Sequence, residues 1–176
     1  MGGRGHGVHR ATMAGIIKRS GLSAGAIYTH FSGKADIIAY VAQSTIDQVL
    51  GGVRQNLTAS PPPGPDRLLE RIIQSIQATQ IGTGLIVQLW AEAVTNPEFQ
   101  ATANQIFGRV RSAMASHLEL WLAAEEGLGQ AEAKAAAWPR SRVLLSLTVG
   151  YIVQSALLDG FDSAAYTQEV APALDA

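Results

Sequence analysis

Apolar side chains recur at helical intervals along nearly the whole chain, whereas the alternation typical of strands is almost absent. Residues 1–42 show three short stretches with this period. One face of each stretch carries Met13, Ile16 and Ile17; Ala24, Ile27 and Phe31; and Ile37, Ile38, Val41 and Ala42, respectively. The pattern predicts an all-α fold.

Proline and glycine divide the middle of the chain. Four prolines within Ser60–Pro65 interrupt any helix there. Asp66 is a plausible N-cap for the next helix, and Gly82 and Gly84 are expected to end or kink it. The apolar face of this predicted helix comprises Leu68, Leu69, Ile72, Ile73 and Ile76. A further apolar stretch, Leu85–Val94, follows.

Asn96-Pro97 predicts the start of another helix, with Asn96 as cap and Pro97 at the first helical position. The helix can run to about Glu126, and Gly127 and Gly129 stop it.

The last third of the chain predicts two more helices. Ala131–Ala137 is at best a helical connector, and Pro139 starts a helix that reaches Leu158. This helix is apolar on nearly every side, so we expect two of its faces to be buried, one of them against a partner subunit. Ser163 is expected to cap a last helix through about Leu174.

Composition narrows the class of protein. The chain has 176 residues, of which 47% are hydrophobic and 15% charged, so it is long and apolar enough to bury a core. It has no cysteine, which excludes disulfides and cysteine-ligated metals. The longest apolar run, Val143–Leu158, is shorter than the roughly 20 residues of a spanning helix. We therefore expect a cytoplasmic protein with no membrane partner.

The charge is distributed unevenly. Residues 1–60 carry six basic and two acidic side chains, whereas the rest of the chain carries seven basic and twelve acidic ones. A basic head suggests a polyanionic partner, although an imbalance of this size is also ordinary scatter.

Thr12–Asp36 is the most informative stretch. Gly21 separates two short predicted helices, and Ser23 caps the second, as in a helix-turn-helix. The second helix turns Ala24, Ile27 and Phe31 inward and Gly25, Ala26, Thr29 and His30 outward, with Tyr28 beside them. Small residues let such a helix approach a DNA groove, while Tyr28, His30 and Lys34 can reach phosphates.

The segment S-A-G-A-I-Y-T-H-F-S-G-K (Ser23–Lys34) resembles the recognition-helix signature of the TetR family of bacterial transcriptional regulators. The preceding A-T-M-A-G-I-I-K-R-S-G-L is similar to the family's first motif helix and turn. More loosely, L-W-A-E-A-V-T-N-P-E-F and the late A-L-L-D-G are similar to the ligand-binding half of some members.

The resemblance implies a helix-turn-helix head over residues 1–40 and a helical ligand-binding and dimerisation body over residues 41–176. It implies a DNA site that includes the cap residue Ser23. Phosphate contacts would come from Thr12, Tyr28, His30 and Lys34, and groove contacts from Ala24, Gly25, Ala26 and Thr29.

The front of the chain departs from the family pattern. Met1–Ala11 include four glycines, so we expect them not to supply the family's full first helix. The resemblance implies a one-component repressor that binds a pseudo-palindromic operator as a homodimer and is released by a small-molecule effector. The alternative is a dimeric small-molecule-binding module with impaired or no DNA binding. Dimerisation would use Pro139–Leu158 and Ser163–Leu174.

Aromatic residues of the body could line a ligand cavity or simply fill the core. The candidates are Trp90, Phe99, Phe107, Trp121 and Tyr151. No cofactor or metal is expected, because His6 and His9 lack a third ligand nearby. Gly82-Thr83-Gly84 predicts a helix break rather than a phosphate loop. Four glutamates, Glu92, Glu98, Glu125 and Glu126, have no acid–base partner, so we expect no enzyme.

Overall fold

The computed structural model describes residues 61–79 and 82–174, together with Tyr40, Gln43, Ile46, Asp47, Leu50 and Gly51. All regular structure within these residues is helical. Five helices follow the proline-rich stretch: α1 (Pro65–Ala78), α2 (Thr83–Thr95), α3 (Pro97–Glu125), α4 (Gln130–Leu157) and α5 (Ser163–Val170). A 3₁₀ turn, Ala171–Leu174, closes the described chain. The prediction of an all-α fold is confirmed.

Helix α1 buries the predicted face but begins earlier than predicted. Its five predicted apolar residues, from Leu68 to Ile76, are all buried. The expectation that Asp66 is the N-cap was wrong, because Gly64 holds that position and Pro65 is the first helical residue. Pro65 suits this position, since its fixed φ is helical and its missing N–H would have no partner there. Asp66 lies in the first turn, where its negative charge interacts favourably with the positive end of the helix dipole.

Gly82 lies between helices, as expected, but Gly84 does not end one. Gly82 is the N-cap of α2, and Gly84 is the second residue inside it. The break predicted at Gly82-Thr83-Gly84 is therefore confined to the cap.

The bounds predicted for α3 are confirmed. The Asn96 side chain accepts a hydrogen bond from the Glu98 amide at 3.0 Å, and Pro97 occupies the first position. The helix ends at Glu125, and Gly127 has a φ of 64°, which favours glycine.

Helix α4 begins nine residues before Pro139, at Gln130, so the predicted start at Pro139 was wrong. Ala133 and Ala137 are buried against Leu118 and Leu122 of α3. Alanine has the highest helix propensity, and this packing adds to it, so the helix continues through the proline.

Helix α5 begins one residue after an aspartate cap. The Asp162 carboxylate accepts the amides of Ala164 (2.8 Å) and Ala165 (3.0 Å), so the prediction that Ser163 is the cap was wrong. The Ser163 hydroxyl instead lies 3.1 Å from the Tyr151 hydroxyl. The α-helix stops at Val170, two residues before Pro172.

The main core joins α1, α3, α4 and α5. Its buried members include Leu50, Ile72, Met114, Leu144 and Tyr166. Leu50 lies just after the family-like head residues in the chain, so its burial fastens the start of the body to the core.

A histidine is buried beside the start of α1. The His117 Nε2 atom lies 2.7 Å from the Pro63 carbonyl oxygen, to which it donates, while Nδ1 is buried without a hydrogen-bond partner among the described residues. Burial lowers the pKa of His117 and Arg71 lowers it further, against the opposing effect of the Pro63 hydrogen bond. The imidazole is therefore neutral near pH 7.

This histidine predicts a loss of stability in mild acid. Below pH 6.5, the ordinary histidine pKa, the unfolded chain binds a proton that folded His117 does not, so the free energy of unfolding falls as pH drops. The slope from one such group is at most about 1.4 kcal/mol per pH unit. Urea unfolding at several pH values from 5 to 8 should show a shallower slope for His117→Gln than for the wild type. Equal slopes would contradict the assignment.

Gly150 allows α5 to pack closely on α4. A Cβ atom at Gly150 would lie 2.9 Å from the Tyr166 hydroxyl oxygen. That hydroxyl donates to the Leu147 carbonyl at 2.7 Å, and the Tyr166 ring packs edge-on to Tyr151. The ring therefore has little freedom to yield.

We expect Gly150→Ala to destabilise the fold, because overpacking of about 1–3 kcal/mol exceeds the helix-propensity gain of up to about 1 kcal/mol. In a Tyr166→Phe background the same change should be less harmful, since the hydroxyl is gone. Gly108→Ala is the matched control: no atom lies within 4 Å of its added methyl, so it should stabilise α3. Urea midpoints measure all four variants. Additive effects of the Gly150 and Tyr166 changes would refute the predicted steric conflict.

Candidate functional site

A cavity of about 130 Å³ lies between α2, α3 and α4. Ile76 of α1 and Ile46 also border it. Helix α2 contributes Ile86, Leu89, Trp90 and Ala93; α3 contributes Phe99, Thr102, Ala103, Ile106, Phe107 and Val110; and α4 contributes Leu145, Thr148, Val149 and Ile152.

The spacing of the lining residues explains why they face the same space. On α2 and α4 they follow the i, i+3, i+4, i+7 pattern, and on α3 the same pattern continues to Val110. Side chains with this spacing form one stripe on a helix. Three apolar stripes thus converge, and their side chains do not fill the volume between them.

The described lining is almost wholly apolar and carries no charged side chain. Its only hydroxyls belong to Thr102 and Thr148. The Thr148 hydroxyl donates to the Leu144 carbonyl at 2.9 Å, and the Thr102 hydroxyl donates to the Glu98 carbonyl at 3.3 Å. Each hydroxyl hydrogen is therefore bound within its own helix.

Three of the five predicted pocket residues border this cavity, namely Trp90, Phe99 and Phe107. The rings of Trp90 and Phe107 are tilted, with centroids 5.6 Å apart. Trp121 and Tyr151 lie elsewhere. Trp121 packs on the cluster that Leu118 and Leu122 of α3 form with Ala133 and Ala137 of α4, beside Gly64.

Helix geometry explains both exceptions. Trp121 is on nearly the same face of α3 as Phe107 but fourteen residues further along, or about 21 Å at 1.5 Å per residue. Tyr151 is one residue before Ile152, so it points about 100° away from it. Its hydroxyl accepts a hydrogen bond from the Gln77 side-chain amide at 3.1 Å and lies 3.1 Å from the Ser163 hydroxyl. Sequence inspection of aromatics alone missed the aliphatic members and both threonines. The stripe spacing could have found them.

The described residues of the connecting segment, which spans residues 40–51, touch both the cavity and α3. Ile46 borders the cavity, and the neighbouring Asp47 accepts a hydrogen bond from Arg109 of α3 at 3.1 Å. Arg109 also donates to Gln43 at 3.4 Å, and Gln43 donates to Asp47 at 2.9 Å. These polar groups are exposed. The ion pair therefore contributes at most about 1 kcal/mol to stability.

The predicted DNA-contacting residues all lie outside the described residues. They are Thr12, Ser23, Ala24, Gly25, Ala26, Tyr28, Thr29, His30 and Lys34. Their roles stay predictions, as does the expectation for Met1–Ala11. Across the part of the chain that is described, no three His, Asp or Glu side chains are grouped as a metal site. None of the helices there is both long and apolar enough to cross a membrane.

Residues 4–41 match the family described as "Bacterial regulatory proteins, tetR family". This stretch of the chain thus carries the sequence of a tetR-family head. The match includes every predicted DNA-contacting residue, from Thr12 to Lys34, and confirms the resemblance that those residues carry. No curated protein and no solved structure matches the chain. The TetR-family assignment therefore rests on the head, and the role of the body has to be argued from its geometry.

Proposed function

We propose that this TetR-family regulator is a cytoplasmic repressor that binds a pseudo-palindromic operator as a homodimer and leaves it when a small molecule binds. The position of Ile46 is the main observation that supports this proposal. It lies shortly after the family match, which ends at residue 41, and it borders the cavity of the body. A molecule in the cavity would contact the segment that joins the head, residues 1–40, to the body, residues 41–176.

The proposed mechanism is a shift between two conformations. A ligand can change operator affinity only by its different affinity for the two states. Ile46 gives the ligand such a difference if the connecting segment moves. Two heads on a dyad read half-sites about 34 Å apart, so a small displacement of each head weakens binding to both half-sites.

The proposed dimer interface lies on Pro139–Leu158 and Ser163–Leu174. In the single chain, Val143 is 40% exposed and Leu157 is 67% exposed, although both are large and apolar. They lie fourteen residues apart on α4 and therefore share a face. A second copy would remove this apolar surface from water.

We expect the pair of changes Val143→Arg and Leu157→Arg to convert the dimer to a monomer of 18.5 kDa, because four like charges would meet in the interface. Sedimentation equilibrium measures the mass. Val94→Arg is the matched control, since Val94 is 79% exposed on α2 and also lies near a helix end. A dimeric double variant, or a monomeric wild type, would overturn the proposed interface.

Operator binding is tested with DNA fragments that the purified wild-type protein selects from a random pool. Tyr28→Ala should weaken binding about tenfold to selected and to unrelated DNA alike, because a phosphate contact carries no sequence information. Thr29→Ala, at a groove position, should instead narrow the difference between the two DNAs. Both variants should keep the wild-type melting temperature.

Two results would count against the repressor. Unchanged operator affinity in Tyr28→Ala would remove Tyr28 from the DNA contact. A wild-type protein that selects no fragment, yet still binds a ligand in its cavity, would be a small-molecule-binding module.

A further inference from the structure

We propose that the cavity binds a small uncharged molecule built on one apolar ring, of the size of benzene or toluene. This inference rests on the proposed function, in which such a molecule is the effector. The volume supports it first. The cavity holds about 130 Å³, and an apolar protein cavity of about 150 Å³ accepts benzene. A molecule of two fused rings is larger than benzene, so we expect it to fit this volume less well.

The charge of the lining excludes ionised ligands. No described lining residue is charged, so a carboxylate, phosphate or ammonium group would be desolvated without an ionic partner. This penalty exceeds what the surrounding apolar contacts could return.

The two hydroxyls add a preference among neutral ligands. Because Thr148 and Thr102 each donate their hydrogen to a backbone carbonyl, they present oxygen lone pairs to a ligand. A ligand hydroxyl can donate to them, whereas a ligand carbonyl gains nothing from them. A phenol therefore fits better than an aldehyde of the same size.

The aromatic side chains favour a ring over a linear chain. Trp90 and Phe107 stand at 43° to one another, with centroids 5.6 Å apart, and Phe99 borders the same space. Tilted rings offer both faces and edges, which are the contacts that a third ring prefers.

The test uses the whole chain without DNA. Toluene, benzoate, benzylamine and naphthalene are titrated separately at pH 7, with binding followed by melting temperature and by calorimetry. Toluene should raise the melting temperature and bind at least tenfold more tightly than any of the other three. Benzaldehyde should bind more weakly than phenol. The proposal would be overturned if a charged probe bound as tightly as toluene. It would also be overturned if naphthalene bound as tightly as toluene.

Substitutions in the lining test whether toluene binds in this cavity. Ala103→Leu on α3 fills the space and should weaken toluene binding at least tenfold, whereas Ala101→Leu, exposed on the same helix, should leave it unchanged. Phe107→Ala enlarges the cavity and should shift preference from toluene to naphthalene, so it keeps the test decisive if Ala103→Leu fails to fold. Wild-type toluene affinity in Ala103→Leu would refute the site.

The two proposals fail separately. Toluene bound in the cavity without any effect on operator affinity would leave the ligand class standing and refute the release mechanism. Operator release by a charged molecule whose binding Ala103→Leu abolishes would leave the mechanism standing and refute the ligand class.

Discussion

Helices α3 and α4 lie along each other for most of their length, and burial of their facing apolar stripes is the interaction on which the rest of the body depends. Met114 and Leu144 form part of the main core that also receives Ile72 of α1 and Leu50 of the connecting segment. Further along the same two helices, Leu118 and Leu122 of α3 meet Ala133 and Ala137 of α4. The pairing thus holds α1 and the start of the body in one core, and it sets two of the three walls of the cavity. Since hydrophobic burial dominates folding free energy, a change that separates α3 from α4 would remove the cavity together with the core.

The cavity is a departure from this close packing, and it has a stability cost. The apolar side chains that face this unfilled space lack the van der Waals contacts that close packing would give them. Larger side chains at Ala93 or Ala103 would reduce the volume, yet both positions carry alanine. A binding cavity gives a physical reason for this, because a ligand that fills it recovers the lost contacts and couples its own affinity to folding.

Much of the fold could be predicted from helical periodicity, and the errors have local causes. The buried face of α1 and the bounds of α3 follow from apolar spacing and from Asn96-Pro97. The N-caps were harder to predict, since each lies near a second residue of suitable chemistry. Gly64, before Pro65, is the N-cap of α1 instead of Asp66, and Asp162 is the N-cap of α5 instead of Ser163. Pro139 shows the same limit. Its cost was visible in the sequence, but the packing of Ala133 and Ala137 that outweighs it was not. Likewise, the presence of an aromatic ring on the right face of α3 could not distinguish Trp121 from Phe107. Which stretch of α3 borders the cavity depends on where the neighbouring helices lie, and the sequence does not show that.

The connecting segment is held by contacts of two kinds, and their difference bears on the proposed transmission. Leu50 is buried in the main core and has little freedom to move without opening it. Ile46, one turn earlier, borders the cavity, and the contacts of Asp47 beside it include an exposed ion pair with Arg109 and an exposed hydrogen bond from Gln43. Exposed pairs are weak and screened by salt, so they oppose displacement little. In the proposed mechanism, a ligand that contacts Ile46 therefore meets less resistance to displacement there than it would at Leu50.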